Sequence, residues 1–194
     1  YEQAVRQKKR KEIRRLKNRL AEQGPVEARI LDDGDQLEGW CSTYLGLDQA
    51  GWKGEAGISL VAQPATEAFF RDVVAAAWSA GRLQFLRLDV GGHCIAMLVN
   101  FLAPPGSFSF KTVFDEGYAR FSPGVLIQLE NLNILDDPRV RWMVSRRCDF
   151  FIVLHQYSAH RRGSRFDTCR ISASATRRRG MPKRRIFRCV LPIR

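Results

Sequence analysis

Between residues 2 and 22 the chain has no Gly or Pro, and within it Ile13, Leu16 and Leu20 recur at i, i+3 and i+7. This spacing predicts a helix with one narrow apolar stripe on an otherwise basic surface. Gly24-Pro25 ends it, because proline has no N–H with which to continue a helical ladder. Residues 26–31 alternate loosely and predict a short strand. Asp32-Asp33-Gly34-Asp35 then supplies a turn and the start of a helix reaching about Leu47. Gly51-Trp52-Lys53-Gly54 reads as a loop. Residues 65–80 predict a second helix, with Phe69, Val73, Ala76 and Ala77 on its apolar face, stopped by Gly81.

The period then changes. Residues 82–90 alternate, with Leu83, Phe85, Leu86 and Leu88 as their apolar content, and Gly91-Gly92 follows. A Gly pair marks a two-residue hairpin, since such turns need positive φ. A long apolar strand over 93–103, a turn at Pro104-Pro105-Gly106 and a third strand over 107–114 complete an antiparallel meander. On that third strand Phe108, Phe110 and Thr112 are expected to face one way. Ser122-Pro123-Gly124 opens a further helix: the Ser122 hydroxyl can cap a free first-turn N–H, and Pro123 suits the first helical position. The run to Leu135 is apolar nearly all round and predicts a buried helix. Asp136-Asp137-Pro138 ends it, and residues 139–143 resemble the opening of another strand. The pattern describes an α/β fold with a mixed, mostly antiparallel sheet and flanking helices.

Charge changes this picture less than the total suggests. Residues 144–194 hold 14 basic and 2 acidic residues, which is the whole formal net charge of +12. Residues 1–143 are neutral, with 18 of each sign. Three parts are expected: a basic helix or connector over 1–25, a folded domain over 26–143, and an Arg-rich tail over 144–194. With 13 Arg to one Lys and no regular aromatics, the tail makes a nucleic-acid partner a secondary reading to catalysis. Such a tail has little period of its own and is expected to be largely disordered. Five scattered Cys without a CxxC pair point to a reducing, cytoplasmic setting and to no zinc knuckle. No apolar run is long enough for a membrane span. Tyr1 is neither an initiator Met nor the start of a secretory signal, and reads as a cut point in a longer protein.

The candidate chemistry lies where the third strand feeds the buried helix. A helix N-terminus offers unpaired N–H groups and about half a positive charge to an anion. Here those groups belong to Gly124, Val125 and Leu126, with Arg120 and Lys111 as nearby cations. An ordinary capped core helix has the same pattern. Lys111 reads equally as a phosphate or substrate contact and as a solvated strand lysine. Asp115 and Tyr118 fit either orientation of an amine or packing of their loop. Trp52 and Lys53 fit either the border of an acceptor cleft or an exposed loop.

The run FLAPPGSFSFKTVFDEGYARFSPGVLIQLE at 101–130 resembles the core of the FemAB/CelD-like branch of the GNAT N-acyltransferases. Its marks there are an aromatic strand with a lysine, the Asp115-x-x-Tyr118-Ala119 stretch and the Ser122-Pro123-Gly124 helix start. AGWKGEAG at 50–57 and KRKEIRR at 9–15 resemble the same branch in the same order, so the likeness spans about residues 8–143. The resemblance implies a GNAT fold whose 122–135 helix receives the pyrophosphate of acetyl-CoA or another acyl-CoA. It implies transfer of the acyl group to an amine, with the strand backbone holding the thioester carbonyl and no metal. Lys111, Asp115 and Tyr118 become the catalytic candidates, and Arg120, Ser122, Gly124, Val125 and Leu126 the donor-binding ones. Trp52 and Lys53 become the acceptor candidates. A link to polysaccharide or cell-envelope synthesis follows from the branch alone. The strict Gln/Arg-x-x-Gly-x-Gly/Ala loop is missing: Arg120 and Gly124 are four apart with Pro123 between them. Relatives continue after Arg-Trp-Met with an acidic residue, a Ser-Cys pair, a helix and a closing strand, where this chain has Val144-Ser-Arg-Arg-Cys. A reading-frame slip past residue 143 is favoured over a genuine basic extension and would leave the sheet edge and the acceptor cleft incomplete; an inactive remnant is therefore the alternative to a working acyltransferase.

Overall fold

The structure is a computed structural model and describes residues 7–145 and 153–155. What the sequence suggests for residues 1–6 and for nearly all of the Arg-rich tail lies outside them. Helix α1 (Gln7–Ala21) leads through Gly24 into strand β1 (Val26–Ile30). A 3-10 turn, Gly34–Gln36, starts α2 (Leu37–Ala50), followed by a one-turn helix α3 (Trp52–Glu55) and by α4 (Pro64–Ser79). The meander is β2 (Leu83–Val90), β3 (His93–Ala103) and β4 (Gly106–Phe114). After a 3-10 segment over Glu116–Phe121 comes α5 (Pro123–Glu130), then a second 3-10 segment, Asn131–Asp136. Strands β5 (Trp142–Ser145) and β6 (Val153–His155) finish the described chain.

The six strands form one sheet in chain order, antiparallel except for the parallel pair β4–β5. The expected three-strand meander is present, and Gly91 and Gly92 both carry positive φ (56° and 83°) in its first turn. Any other residue there would carry the strain of a left-handed backbone. Parallel pairing of consecutive strands demands a crossover. The 3-10 segments and α5 supply it on one face of the sheet.

Two cores follow from the period of two. Phe85, Met97, Val99 and Val113 point to the face covered by α2 and α4, where they meet Trp40, Tyr44, Phe70 and Val74. Leu86, Leu88, Leu98 and Ile95 point to the opposite face, against Leu20 of α1 and Leu126 and Ile127 of α5. Helix α1 is therefore part of the core rather than a solvated connector: Leu16 and Leu20 are buried in it. No helix among the described residues is long and apolar enough to cross a membrane.

Four local expectations are corrected. Residues 52–55 wind into α3 rather than a loop; Gly54 packs so closely on the Gln49 carbonyl that a Cβ would overlap it. On α4 the buried face is Phe70 and Val74, while Phe69 is exposed. Adjacent residues point about 100° apart on a helix, and an alanine-rich surround leaves the choice between two phenylalanines to the partner surface. Here Phe70 stacks on Tyr44, with ring centroids 5.0 Å apart. On β4 the pairing jumps from Ser109↔Asn100 to Thr112↔Leu98, so Phe110 and Lys111 together oppose Val99. This β-bulge reverses the alternation. Phe110 thus packs near Phe70 and Phe101, whereas Thr112 turns to the α5 face and bonds Gln128. Lastly, Ser122 is left-handed (φ 54°, ψ 52°), and its side chain makes no cap hydrogen bond. Helix α5 proper ends at Glu130, and 3-10 geometry carries it to Asp136.

Candidate active site

The bulge is the centre of the site. From the α2 side, Tyr44 Oη donates a 3.1 Å hydrogen bond to the Lys111 carbonyl oxygen. One turn along α2 from Tyr44, the Asp48 carboxylate is completely buried. It accepts from Lys53 Nζ at 2.9 Å and from the Leu60 backbone N–H at 2.8 Å. A buried carboxylate needs such partners, because its desolvation is otherwise uncompensated. The Lys111 amine lies 5.7 Å from the Phe110 ring centroid. Burial pushes its pKa below the ordinary lysine value; the Asp48 charge opposes the shift and Lys53 adds to it. Lys53 and Lys111, chosen from sequence, are thus brought together around Asp48, which was not chosen. Its signal was available: Trp40, Tyr44 and Asp48 fall at i, i+4 and i+8 on the buried face of α2. Trp52 is exposed and joins none of these contacts.

At the end of β4, Asp115 Oδ2 lies 2.8 Å from His93 Nε2, and its Oδ1 accepts the Gly117 N–H at 2.8 Å. The hydrogen bond from His93, and secondarily that from Gly117, hold the Asp115 carboxyl below its ordinary pKa against the effect of burial. Tyr118 stacks on His93 with ring centroids 5.8 Å apart. His93 reads from sequence as a plain surface residue; it is exposed, yet it ties Asp115 and Tyr118 together. An open cavity of about 710 Å³ lies here, with Thr43, Gly46 and Ala50 of α2 on one wall and His93, Asp115 and Glu116 on the other.

The start of α5 lies on the opposite face of the sheet. Of its three candidate donors, Val125 N–H (2.8 Å) and Leu126 N–H (3.2 Å) already bond the Ser122 carbonyl. Among the described residues the Gly124 N–H has no backbone acceptor. The Arg120 guanidinium lies 4.7 Å from the centroid of the Phe121 ring, and that of Arg19 on α1 lies 6.0 Å from it. Two cations therefore flank the turn into α5, one of them on α1. Among the described residues no three His, Cys, Asp or Glu side chains gather as a metal site.

A mixed sheet with one parallel step, a bulged fourth strand and a helix start beside it define the class. A family model described as acetyltransferase (GNAT) domain matches residues 7–137, and the chain belongs to that family of transferases. Among solved structures, a GCN5-related N-acetyltransferase from Ralstonia eutropha JMP134 is similar at 18% identity, over 63% of this chain and 84% of that one, with a TM-score of 0.50. The ribosomal-protein-S18-alanine N-acetyltransferase of Escherichia coli is similar at 17% identity, covering 63% and 68%, TM-score 0.44. The PaiA N-acetyltransferase of Thermoplasma acidophilum, in complex with coenzyme A, is similar at 16%, covering 63% and 80%, TM-score 0.44. At 18% identity and a TM-score of 0.50, the likeness to the Ralstonia eutropha protein shows the fold alone. No curated protein matches the chain.

Proposed function

We propose that this chain moves an acyl group, acetyl in the simplest case, from acyl-CoA to an amine across the β4 bulge. The observation that supports it best is the bulge itself. There Phe110 and Lys111 together oppose Val99, so the strand backbone leaves its one-to-one ladder with β3 between two differently equipped faces. On the α5 face, the Gly124 N–H, the uncommitted Ser122 hydroxyl and Arg120 would hold the donor's phosphates, with Val125 and Leu126 shaping the turn. On the α2 face, Lys111 and Asp115 would serve the amine, with Tyr118 reaching them from the α5-side core through its stack on His93, and Lys53 and Trp52 would border the cleft. The reaction makes a C–N bond, breaks the C–S bond, and releases one proton from the amine. A lysine whose pKa is lowered by burial keeps a larger neutral fraction with which to take that proton. We further assign the chain to the FemAB/CelD-like branch, on the motifs at 9–15, 50–57 and 101–130, with residues 26–143 as the acyltransferase unit. Polysaccharide or cell-envelope amines are the acceptors that branch suggests, and acyl-CoA as donor suggests the cytoplasm.

Titration calorimetry with CoA, and thiol release from acetyl-CoA with a panel of amino sugars and amino acids, test the reading. Binding together with amine-dependent release is expected. A folded protein that does neither overturns it. Lys111→Met should lower kcat about 10²-fold or more if the Lys111 side chain takes the proton, a typical contribution of general base catalysis.

A further inference from the structure

A continuous chain of polar side chains, buried at Gln84, Asn100 and Asn131 and half-buried at Ser109, Thr112 and Gln128, runs along the α5 face beside the bulge. Asn100 of β3 donates through Nδ2 to Gln84 Oε1 and to Asn131 Oδ1, both at 2.5 Å. Its Oδ1 accepts from Ser109 Oγ at 2.6 Å. Asn131 Nδ2 reaches Ser109 Oγ (3.3 Å) and Gln128 Oε1 (3.4 Å), and Gln128 Nε2 donates to Thr112 Oγ1 at 3.0 Å. Asn100 and Asn131 have no solvent exposure.

We infer that this network is a positioning device for acyl transfer: it clamps β4 on both sides of the bulge and so fixes where the backbone of Phe110 and Lys111 points. The inference rests on the proposed reading of the bulge. Ser109 is the last β4 residue in register before the bulge, and Thr112 is the first after it. Both are tied through the network to the α5 layer, while Tyr44 ties the Lys111 carbonyl from the other face. Nothing in the packing requires polar groups here. Leu98 and Leu102, two residues either side of Asn100 on β3, are buried as ordinary apolar core. An apolar residue at 100 would bury as well, without desolvating an amide. A fully satisfied buried network instead supplies one fixed geometry, because each member loses its partner if any other moves. An acyl group held by strand backbone needs that fixity, since small misplacements of reacting atoms cost large factors in rate.

Ser109→Ala and Thr112→Val remove one tie on each flank, the second with little change of shape, and Ser109→Thr keeps the hydroxyl. In each of the two removals, kcat for acetyl-CoA should fall about ten-fold or more. The CoA Kd should stay within about two-fold, because phosphate contacts lie elsewhere. Amide hydrogen exchange of the ligand-free protein should quicken across residues 108–113 and stay unchanged in β2. Ser109→Thr should recover most of kcat. Wild-type turnover with unaltered kcat in both variants, or unchanged exchange at 108–113, overturns the inference alone. A wild type that neither binds CoA nor consumes acetyl-CoA overturns the acyl-transfer reading, and this inference with it.

Discussion

The two faces of the sheet solve the same packing problem with different chemistry. On the α2 face the paired groups are ionisable: buried Asp48 holds Lys53 and its charge acts on Lys111, and the more exposed Asp115 holds His93. On the α5 face the buried polar groups are neutral amides and hydroxyls, and the cations Arg19 and Arg120 stay at the surface over Phe121. A face that handles an amine needs groups that can exchange charge and protons, whereas one that receives a polyanionic donor needs fixed dipoles and mobile surface cations. On the proposed reading, the difference teaches that β4 separates two functions as well as two cores, and it can be broken one face at a time.

The largest effect is expected at Asp48. Asp48→Ala strands Lys53, which is only one-fifth exposed, and leaves the Leu60 N–H without its acceptor. Breaking a buried pair in this way costs about 3–5 kcal/mol. Urea denaturation should show a loss of that order, and Asp48→Asn, which keeps an acceptor for Leu60, should lose less. If Asp48→Ala were as stable as wild type, the pair would not be structural and the α2 face would be more solvated than its geometry states.

The corresponding break on the α5 face is Gly124→Asp. It adds bulk and negative charge at the first-turn N–H that, among the described residues, has no backbone acceptor. CoA affinity should fall about ten-fold or more, roughly 1.4 kcal/mol. Gly124 is buried, so Gly124→Ala separates bulk from charge. Calorimetry giving equal affinity for wild type and both variants would move the donor away from α5. The acceptor-face variant Trp52→Ala should leave that affinity unchanged.

These contrasts were only partly legible beforehand. The meander was plain, because Gly91-Gly92 and Pro104-Pro105-Gly106 punctuate runs whose period is two. The GNAT family was legible from the joint order of three motifs, none of which is specific alone. The bulge was less so: SFSF alternates, the period slips at Lys111-Thr112 and Val113-Phe114, and only the pairing with Val99 shows that slip as an extra residue. The choice of Phe70 over Phe69 depended on Tyr44, more than twenty residues away, which no local period encodes. Ser122 looked like a cap because its residue type is right; its left-handed backbone turns the hydroxyl away from that task. Asn100 sat inside an apolar strand, where an isolated polar residue signals a buried network only once its partners are known.

A smaller effect should follow from Tyr44→Phe. The ring remains to pack on Phe70 and Phe85, and only the bond to the Lys111 carbonyl is lost. The expected cost is about 1 kcal/mol, typical of one neutral hydrogen bond. A fall in kcat larger than the stability loss explains would place the tie in catalysis, whereas an unchanged kcat would mark Tyr44 as core alone.

The smallest effect belongs to Asp115, and pH is the means to see it. The bond with His93 holds its folded pKa below the ordinary 3.8, and burial only partly opposes this. A carboxyl depressed on folding contributes stability that is fully present above its unfolded pKa and is lost as pH falls through the folded value. The difference in unfolding free energy between wild type and Asp115→Asn should therefore be flat at neutral pH and shrink below about pH 4. Its plateau should not exceed about 1 kcal/mol, because His93 is more than half exposed and water screens the pair. Urea midpoints from pH 3 to pH 7 measure it. The same variant decides what the cluster is for. A large drop in kcat/KM for the amine, set against so small a stability change, assigns Asp115 to the acceptor; activity lost only in step with stability makes the His93–Asp115–Tyr118 cluster a clasp on the β4 loop.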